Sequence, residues 1–129
     1  MSSEKLFSLD GKVAVVIGGA QDLGFDMAQA LGEGGADLVI TSRTLASAEK
    51  SVDRLKETCP VNILPLALDV CDHRQVTDVA ETVRSWRGQI DVLVNNAGGG
   101  LGLIPTNLFQ RKQEDIRQLI DTNLVGTLF

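Results

Sequence analysis

The stretch Lys12–Gly24, KVAVVIGGAQDLG, is an apolar run that breaks into a glycine-rich turn and continues into a helical pattern. Its apolar part, Val13 to Ile17, predicts a strand that is buried on both faces. The glycines that follow permit left-handed backbone and close approach of a ligand, and the next helix offers N–H groups to an anion. The stretch therefore predicts a phosphate cradle at the carboxyl end of a buried strand.

Strand and helix patterns alternate along the rest of the chain. We expect strands at Lys12–Ile17, Ala36–Thr41, Val61–Leu68 and Ile90–Val94, and helices at Asp22–Gly34, Leu45–Thr58, Asp72 to Gly88, and from about Phe109 onward. The spacing of Leu23, Met27, Ala30 and Leu31 places them on one side of the first helix. Pro65 makes the third strand short or places it at an edge. This alternation predicts an α/β fold, a Rossmann-type doubly wound parallel sheet in the order β-α-β-α-β-α-β-α.

Composition limits the classes of function. The 129 residues suit a single domain, 1–129, and the net charge of −5 disfavours a nucleic-acid partner. The apolar runs fall short of the roughly 18 residues of a membrane span, and the N-terminus lacks the apolar core of a secretion signal. Cys59 and Cys71 show no metal-ligand spacing, which favours free thiols in a reducing cytoplasm. We expect a cytoplasmic protein without membrane or nucleic-acid partners.

A second motif, Asn95-Asn96-Ala97-Gly98, directly follows the fourth predicted strand. Taken alone, it could be an ordinary turn rich in Asn and Gly. The first turn has a similar alternative, a plain strand-to-helix connection in which Asp22 caps the helix or supplies a favourable acid to its first turn.

Together, the GGAQDLG turn and the Asn95–Gly98 motif resemble the short-chain dehydrogenase/reductase family, and the resemblance extends from Leu9 onward. It implies that the cofactor turn includes Gly18, Gly19, Leu23 and Gly24. It also implies that the adenine side of the pocket is shaped by Asn95, Ala97 and Gly98. Asp69 and Val70 are similar to the family's Asp-hydrophobe pair, in which the Asp side chain and the next N–H contact the adenine.

Asn123 resembles the family's Asn on the following helix, which supports the catalytic proton relay partly through a bound water. Its spacing from Leu119 and Ile120 puts it on the apolar face of its helix, where a buried amide needs partners. A structural hydrogen bond to a neighbouring loop explains the spacing equally well.

Ser42 and Arg43 follow the second predicted strand, and no Asp or Glu occurs between Leu38 and Ala48. In a dinucleotide fold an acid at this point binds the ribose 2′-hydroxyl, whereas an Arg accommodates a 2′-phosphate. Because Arg binds phosphate with a planar, bidentate fork, the pair favours NADP(H) over NAD(H). The alternative is a solvated arginine at the start of a helix.

Two departures from the family pattern bear on activity. Asp22 stands at a position where the turn usually has glycine, and a carboxylate about 4 Å from a phosphate oxygen repels it by about 1–4 kcal/mol. We therefore expect weak nucleotide binding. The chain also contains no Tyr, whereas the family uses Ser, Tyr and Lys with Tyr-x-x-x-Lys spacing, and carbonyl reduction needs a proton donor.

Two functions remain open. The chain could be the cofactor-binding half of an NADP(H)-dependent carbonyl reductase or alcohol dehydrogenase, truncated and inactive alone, with a small-molecule carbonyl or alcohol as the substrate of full-length relatives. It could instead be a non-catalytic nucleotide-binding or interaction module. In either case the resemblance leaves the fourth strand unpaired on one side, so we expect self-association or a homo-oligomer.

Overall fold

The computed structural model describes residues 3–99 and 110–129. Its elements in chain order are α1 (Ser3–Leu6), β1 (Val13–Ile17), α2 (Asp22–Glu33), β2 (Asp37–Ser42), α3 (Leu45–Leu55), β3 (Ile63–Ala67), α4 (His73–Arg87), β4 (Val92–Asn95), α5 (Gln113–Asn123) and a 3-10 helix at Val125–Thr127. None of the helices in this part of the chain combines the length and apolarity that crossing a bilayer requires.

The four strands form one parallel sheet in the order β3-β2-β1-β4. Strand β1 lies inside the sheet, with Val15 opposite Val39 of β2 on one side and Leu93 of β4 on the other. Strand β3, which contains Pro65, lies at an edge as predicted. The α/β doubly wound architecture is confirmed, and the carboxyl ends of all four strands meet at the same edge of the sheet.

Helices cover both faces of the sheet. On one face, α2 and α3 pack on β1 and β2 through a cluster that includes Val16, Leu38, Ile40, Phe25, Val52 and Leu55. On the other face, Val83 of α4 packs against Val13, Val15 and Val39, and Trp86 is half-buried beside them. The core is therefore centred on β1 and β2.

Helix α2 does not bury the side predicted from its large apolar residues. Its buried residues are Gly24, Phe25, Ala28 and Gly32, while the side chain of Leu23 is 65% exposed. Residues 24, 28 and 32 are spaced by four and form a stripe of small residues. A Cβ at Gly32 would lie 2.9 Å from a Leu38 methyl group, so the stripe lets the helix approach the sheet closely.

The last helix is shorter than predicted. Phe109 lies outside the described residues, Arg111 and Lys112 are not helical, and α5 begins only at Gln113. It ends at Asn123, where the chain tightens into the 3-10 helix. None of the residues of α5 is buried.

Candidate functional site

A cleft of about 1170 Å³ lies at the carboxyl ends of the strands. It spans the junction of β1 and β4, where the strand order reverses, and this switch point is the usual ligand site of open α/β sheets. Most of the predicted site residues line it: Gly18, Leu23, Ser42, Arg43, Asp69, Val70, Asn95, Ala97, Gly98 and Asn123. The sequence motifs, distant along the chain, therefore converge on one site.

The glycine turn after β1 is packed tightly against the turn after β4. Gly18 has φ +76°, and a Cβ there would lie 3.0 Å from the Cα of Ala97. The Asn96 side-chain amide donates to the Gly18 carbonyl at 3.1 Å, and a Cβ at Gly24 would collide with that carbonyl. Gly24 and the equally buried Gly19 do not line the cleft, so they shape the turn from beneath.

Thr41 fixes this turn to β2. Its side chain is fully buried, its Oγ1 accepts from the Gly18 N–H at 3.2 Å, and its carbonyl accepts from the Gly19 N–H at 3.1 Å. We did not predict this role from the sequence, although a hydroxyl at the end of the apolar run Leu38–Ile40 was an available signal.

Asp22 begins α2 at the mouth of the turn. It has φ +47°, a left-handed conformation that glycine adopts readily and that L-residues other than Asn and Asp rarely adopt. The helix cap is Gln21, whose side chain makes no capping hydrogen bond, so the alternative of Asp22 as the cap is wrong. Asp22 is the acid of the first turn, and it is exposed along the cleft.

The end of β2 also lines the cleft. Ser42 is half-buried as the last residue of the strand, and Arg43 follows it with an exposed side chain. Thr44 then caps α3, with its Oγ1 accepting from the Ser47 N–H at 3.3 Å. Arg43 forms no ion pair within the described part of the chain.

Asp69 and Val70 lie where β3 leads into α4. The Asp69 carboxylate accepts from the Cys71 N–H at 2.9 Å, and the Asp69 N–H donates to the Gln75 side chain at 2.8 Å. The Val70 N–H has no partner among residues 3–99 and 110–129, which leaves it available to a ligand.

Asp72, where the sequence predicts that this helix begins, caps α4, and its carboxylate accepts from the N–H groups of Gln75 and Arg74. The bond from the Gln75 N–H is the main reason that the pKa of Asp72 lies below its ordinary value. The Gln75 side chain donates to that carboxylate at 3.1 Å rather than accepting from the Asp72 N–H, so the two residues do not form a capping box.

Asn123 joins α5 to the turn after β4. Its Oδ1 accepts from the Gly99 N–H at 2.7 Å, and its Nδ2 donates to the carbonyls of Gly99 and Leu119. The expectation that this amide is buried is wrong, because α5 buries none of its residues. The structural hydrogen bond to a neighbouring loop, one of the two interpretations of its spacing, is present.

Several lining residues were not predicted from the sequence. Asn96 was missed although it lies between two predicted site residues, and its Nδ2 donates to the glycine turn. Helix α5 was not expected to contribute to the site beyond Asn123, yet Glu114 lines the cleft together with Arg117, Gln118, Asp121 and Thr122. Their polar, exposed character matches a solvated face, and only the tertiary position of α5 brings them to the site.

Among the described residues, no group of three or more His, Cys, Asp or Glu side chains could hold a metal ion. Cys59 is a buried free thiol and Cys71 an exposed one.

Comparisons with known proteins agree with this geometry. A family model described as short chain dehydrogenase matches residues 12–129. A 3-oxoacyl-(acyl-carrier-protein) reductase of Escherichia coli is 32% identical over 118 residues, which cover 91% of this chain and 45% of the reductase.

Two solved structures extend the likeness to three dimensions. A short-chain type dehydrogenase/reductase from Mycobacterium marinum has a TM-score of 0.90 and 27% identity, covering 98% of this chain and 48% of that one. The L-sorbose reductase from Gluconobacter frateurii, solved with NADPH and L-sorbose, has a TM-score of 0.84 and 30% identity, covering 95% and 45%.

The chain spans less than half the length of each of these relatives. Within that span the two solved structures share the fold of this chain. Since the family model covers everything from the first strand onward, the chain belongs to the short-chain dehydrogenase/reductase family.

Proposed function

We propose that the chain is the NADP(H)-binding half of an oxidoreductase that interconverts carbonyl and alcohol compounds. The observation that carries the NADP(H) preference is Arg43, which directly follows β2, lines the cleft and has no ion-pair partner in the described residues. No carboxylate occurs between Leu38 and Ala48 to hold a free ribose 2′-hydroxyl.

The residues present fit a nicotinamide dinucleotide. A Cβ at Gly18 or Gly24 would fill the space that joins the two turns, so the cradle depends on their being glycine. Ser42 and Arg43 would hold the 2′-phosphate, while Asp69, the Val70 N–H and the Asn95–Gly98 turn would hold the adenine. Leu23, which lines the cleft in the first turn of α2, would lie next to the phosphates. When bound, the nicotinamide supplies or accepts the hydride.

A titration of the chain with NADPH and NADH tests this proposal. We expect NADPH to bind more tightly, and Arg43→Ala to weaken NADPH binding about 10- to 100-fold, the value of a charge-assisted hydrogen bond, while leaving NADH unchanged. Arg84→Ala is the matched control, because Arg84 is exposed on α4 and does not line the cleft. Tighter binding of NADH would contradict the proposal.

The absence of Tyr from the sequence favours inactivity of the chain alone. Carbonyl reduction needs a proton donor close to the substrate oxygen, and the family's Tyr-x-x-x-Lys pattern does not occur in these 129 residues. In a longer protein, Asn123 would support the proton relay while its hydrogen bonds to Gly99 fix its side chain. We expect no NADPH oxidation by this chain with a panel of ketones, and measurable turnover would contradict that.

The same absence supports a second candidate, a non-catalytic nucleotide-binding or interaction module derived from a dehydrogenase. The continuation of the reading frame after Phe129 separates the two. Codons for Ser, Tyr-x-x-x-Lys and further strands favour the oxidoreductase, whereas an immediate stop codon favours the module.

The proposed substrate is a small-molecule carbonyl or alcohol. One relative is named as a reductase of 3-oxoacyl-(acyl-carrier-protein), and another was solved with L-sorbose, so likeness to them selects no single compound. We also propose a cytoplasmic location, from the free thiols, and a homo-oligomeric or self-associating state.

A further inference from the structure

The N–H groups of the glycine turn are not equally available to a ligand. Those of Gly18 and Gly19 donate to Oγ1 and the carbonyl of Thr41, and that of Phe25 donates to the Gln21 carbonyl inside the helix. The N–H groups of Asp22 and Leu23, like those of Ala20, Gln21 and Gly24, have no acceptor among the residues that the structure describes. Asp22 and Leu23, at the start of α2, are therefore two of the donors available to a phosphate at this turn.

The carboxylate of Asp22 belongs to the same residue as one of these two donors. Its side chain is exposed along the cleft and forms no ion pair within the described residues. The left-handed conformation at φ +47° is one that glycine adopts without a Cβ penalty, so the backbone here does not require a carboxylate. The charge is an addition to a turn that would form without it.

The opposite charge lies elsewhere in the cleft. Arg43 directly follows β2 and lines the cleft, and it is the residue proposed to hold the 2′-phosphate. One end of the site thus attracts a phosphate, while the phosphate-binding turn carries a negative side chain.

We infer that Asp22 acts as a charge filter, which lowers the affinity of the cleft for ligands with a 5′-diphosphate and leaves its affinity for an adenosine 2′-phosphate unchanged. This inference rests on the proposed nucleotide site and adds a specificity-determining residue to it. A negative side chain within a few ångströms of a diphosphate weakens binding about tenfold or more, whereas a ligand that ends at the ribose does not reach it.

Two ligands without nicotinamide test the inference. Adenosine 2′-monophosphate has no diphosphate, and 2′-phospho-ADP-ribose has one, so their affinities separate the two ends of the cleft. Asp22→Asn removes the charge and keeps a side chain that tolerates left-handed backbone. We expect this variant to bind 2′-phospho-ADP-ribose about tenfold more tightly and to bind adenosine 2′-monophosphate as the parent chain does.

Two further variants complete the experiment. Asp22→Gly removes the charge and relieves the backbone, and we expect it to bind 2′-phospho-ADP-ribose at least as tightly as Asp22→Asn. Asp26→Asn is the matched control, since Asp26 is exposed on the same helix but does not line the cleft. We expect it to bind both ligands as the parent does.

Other outcomes overturn the inference in distinguishable ways. If adenosine 2′-monophosphate binds but Asp22→Asn leaves the affinity for 2′-phospho-ADP-ribose unchanged, the charge filter is wrong and the nucleotide site stands. Equal gains for both ligands, or an equal gain in Asp26→Asn, would mean a general charge effect rather than a filter. If neither ligand binds the parent or Asp22→Asn, the proposed nucleotide site fails as well.

Discussion

The strands on the two sides of β1 differ in how much of their apolar surface is buried, although β2 and β4 both have apolar sequences. On the β2 side, Leu38 of β2 and Leu55 of α3 are fully buried. Toward β4, Leu93 remains 56% exposed, and Ile120 of α5 is 49% exposed. A strand residue is buried when it has a neighbouring strand on each side and helices on both faces, and β4 has a neighbour only at β1 in the described residues.

This difference bears on the candidate site, because the cleft has one wall on each side. The wall made by the glycine turn, β2 and α3 packs on the hydrophobic core. Buried Thr41 accepts a hydrogen bond from the glycine turn and so joins that turn to β2. The wall made by α5 is joined to the turn after β4 through Asn123 and Gly99. We expect the second wall to open locally at a lower free energy than the first, since few buried contacts oppose its opening.

The largest expected effect is on the free energy of unfolding, compared between the same Leu→Ala substitution on each side of the sheet. Leu55→Ala removes a fully buried side chain and should lower the free energy of unfolding by about 2–5 kcal/mol. Leu124→Ala removes a side chain that is 58% exposed and should change the free energy of unfolding by less than about 0.5 kcal/mol. Urea denaturation of both variants measures the difference. Similar losses in the two would show that α5 is packed as firmly as α3.

Much of the fold could be predicted from the sequence. The apolar run Val13–Ile17 and the alternation after it predicted the order of strands and helices along the chain, and Pro65 predicted that β3 is short or lies at an edge, where it is found. Local signals sufficed here because each strand is short, apolar and bounded by turn residues. The Asp72 cap and the left-handed Gly88 bound α4 as predicted, since capping depends on neighbours within one turn.

What could not be predicted depends on tertiary distances. The buried side of α2 is set by the small residues Gly24, Ala28 and Gly32, which allow the helix to approach the sheet closely. The exposure of Asn123 and the position of Glu114 along the cleft depend on where α5 lies, and its apolar spacing alone predicted a buried face. Spacing defines a face, but only the neighbouring elements decide whether it is buried.

A smaller effect is expected from a charge on the exposed edge. Strand β4 has no partner beyond β1 in the described part of the chain, and Leu93 is exposed there, so copies of the chain can associate through it. Leu93→Lys should shift sedimentation toward monomer at equal concentration, because burying a lysine in such a contact is unfavourable. Leu45→Lys is the control, because Leu45 is 45% exposed at the start of α3, away from this edge, and it should not change the sedimentation. A parent chain that is already monomeric would contradict association through this edge.

The smallest expected effect concerns Asp91, which links the two sides at the amino end of the sheet. Its carboxylate accepts from the Val13 N–H at 2.8 Å, from the Gln89 side chain at 2.7 Å and from the Lys12 ammonium at 3.4 Å. These bonds, the one from Val13 foremost, hold the pKa of Asp91 below its ordinary value. Because the unfolded chain then binds the proton more readily, Asp91 stabilises the fold above about pH 4 and loses that effect as the pH falls through its lowered pKa.

Asp91→Asn should therefore flatten the fall in unfolding free energy below about pH 4, as measured by urea denaturation across an acid pH series. Asp53→Asn is the control, because Asp53 is exposed on α3 and accepts no hydrogen bond from the residues that the structure describes. Its profile should follow that of the parent chain. If Asp91→Asn also follows the parent, then the Val13 contact does not couple β4 to β1 through charge. The link between the two sides would then rest on the strand pairing from Ala14 to Ile17.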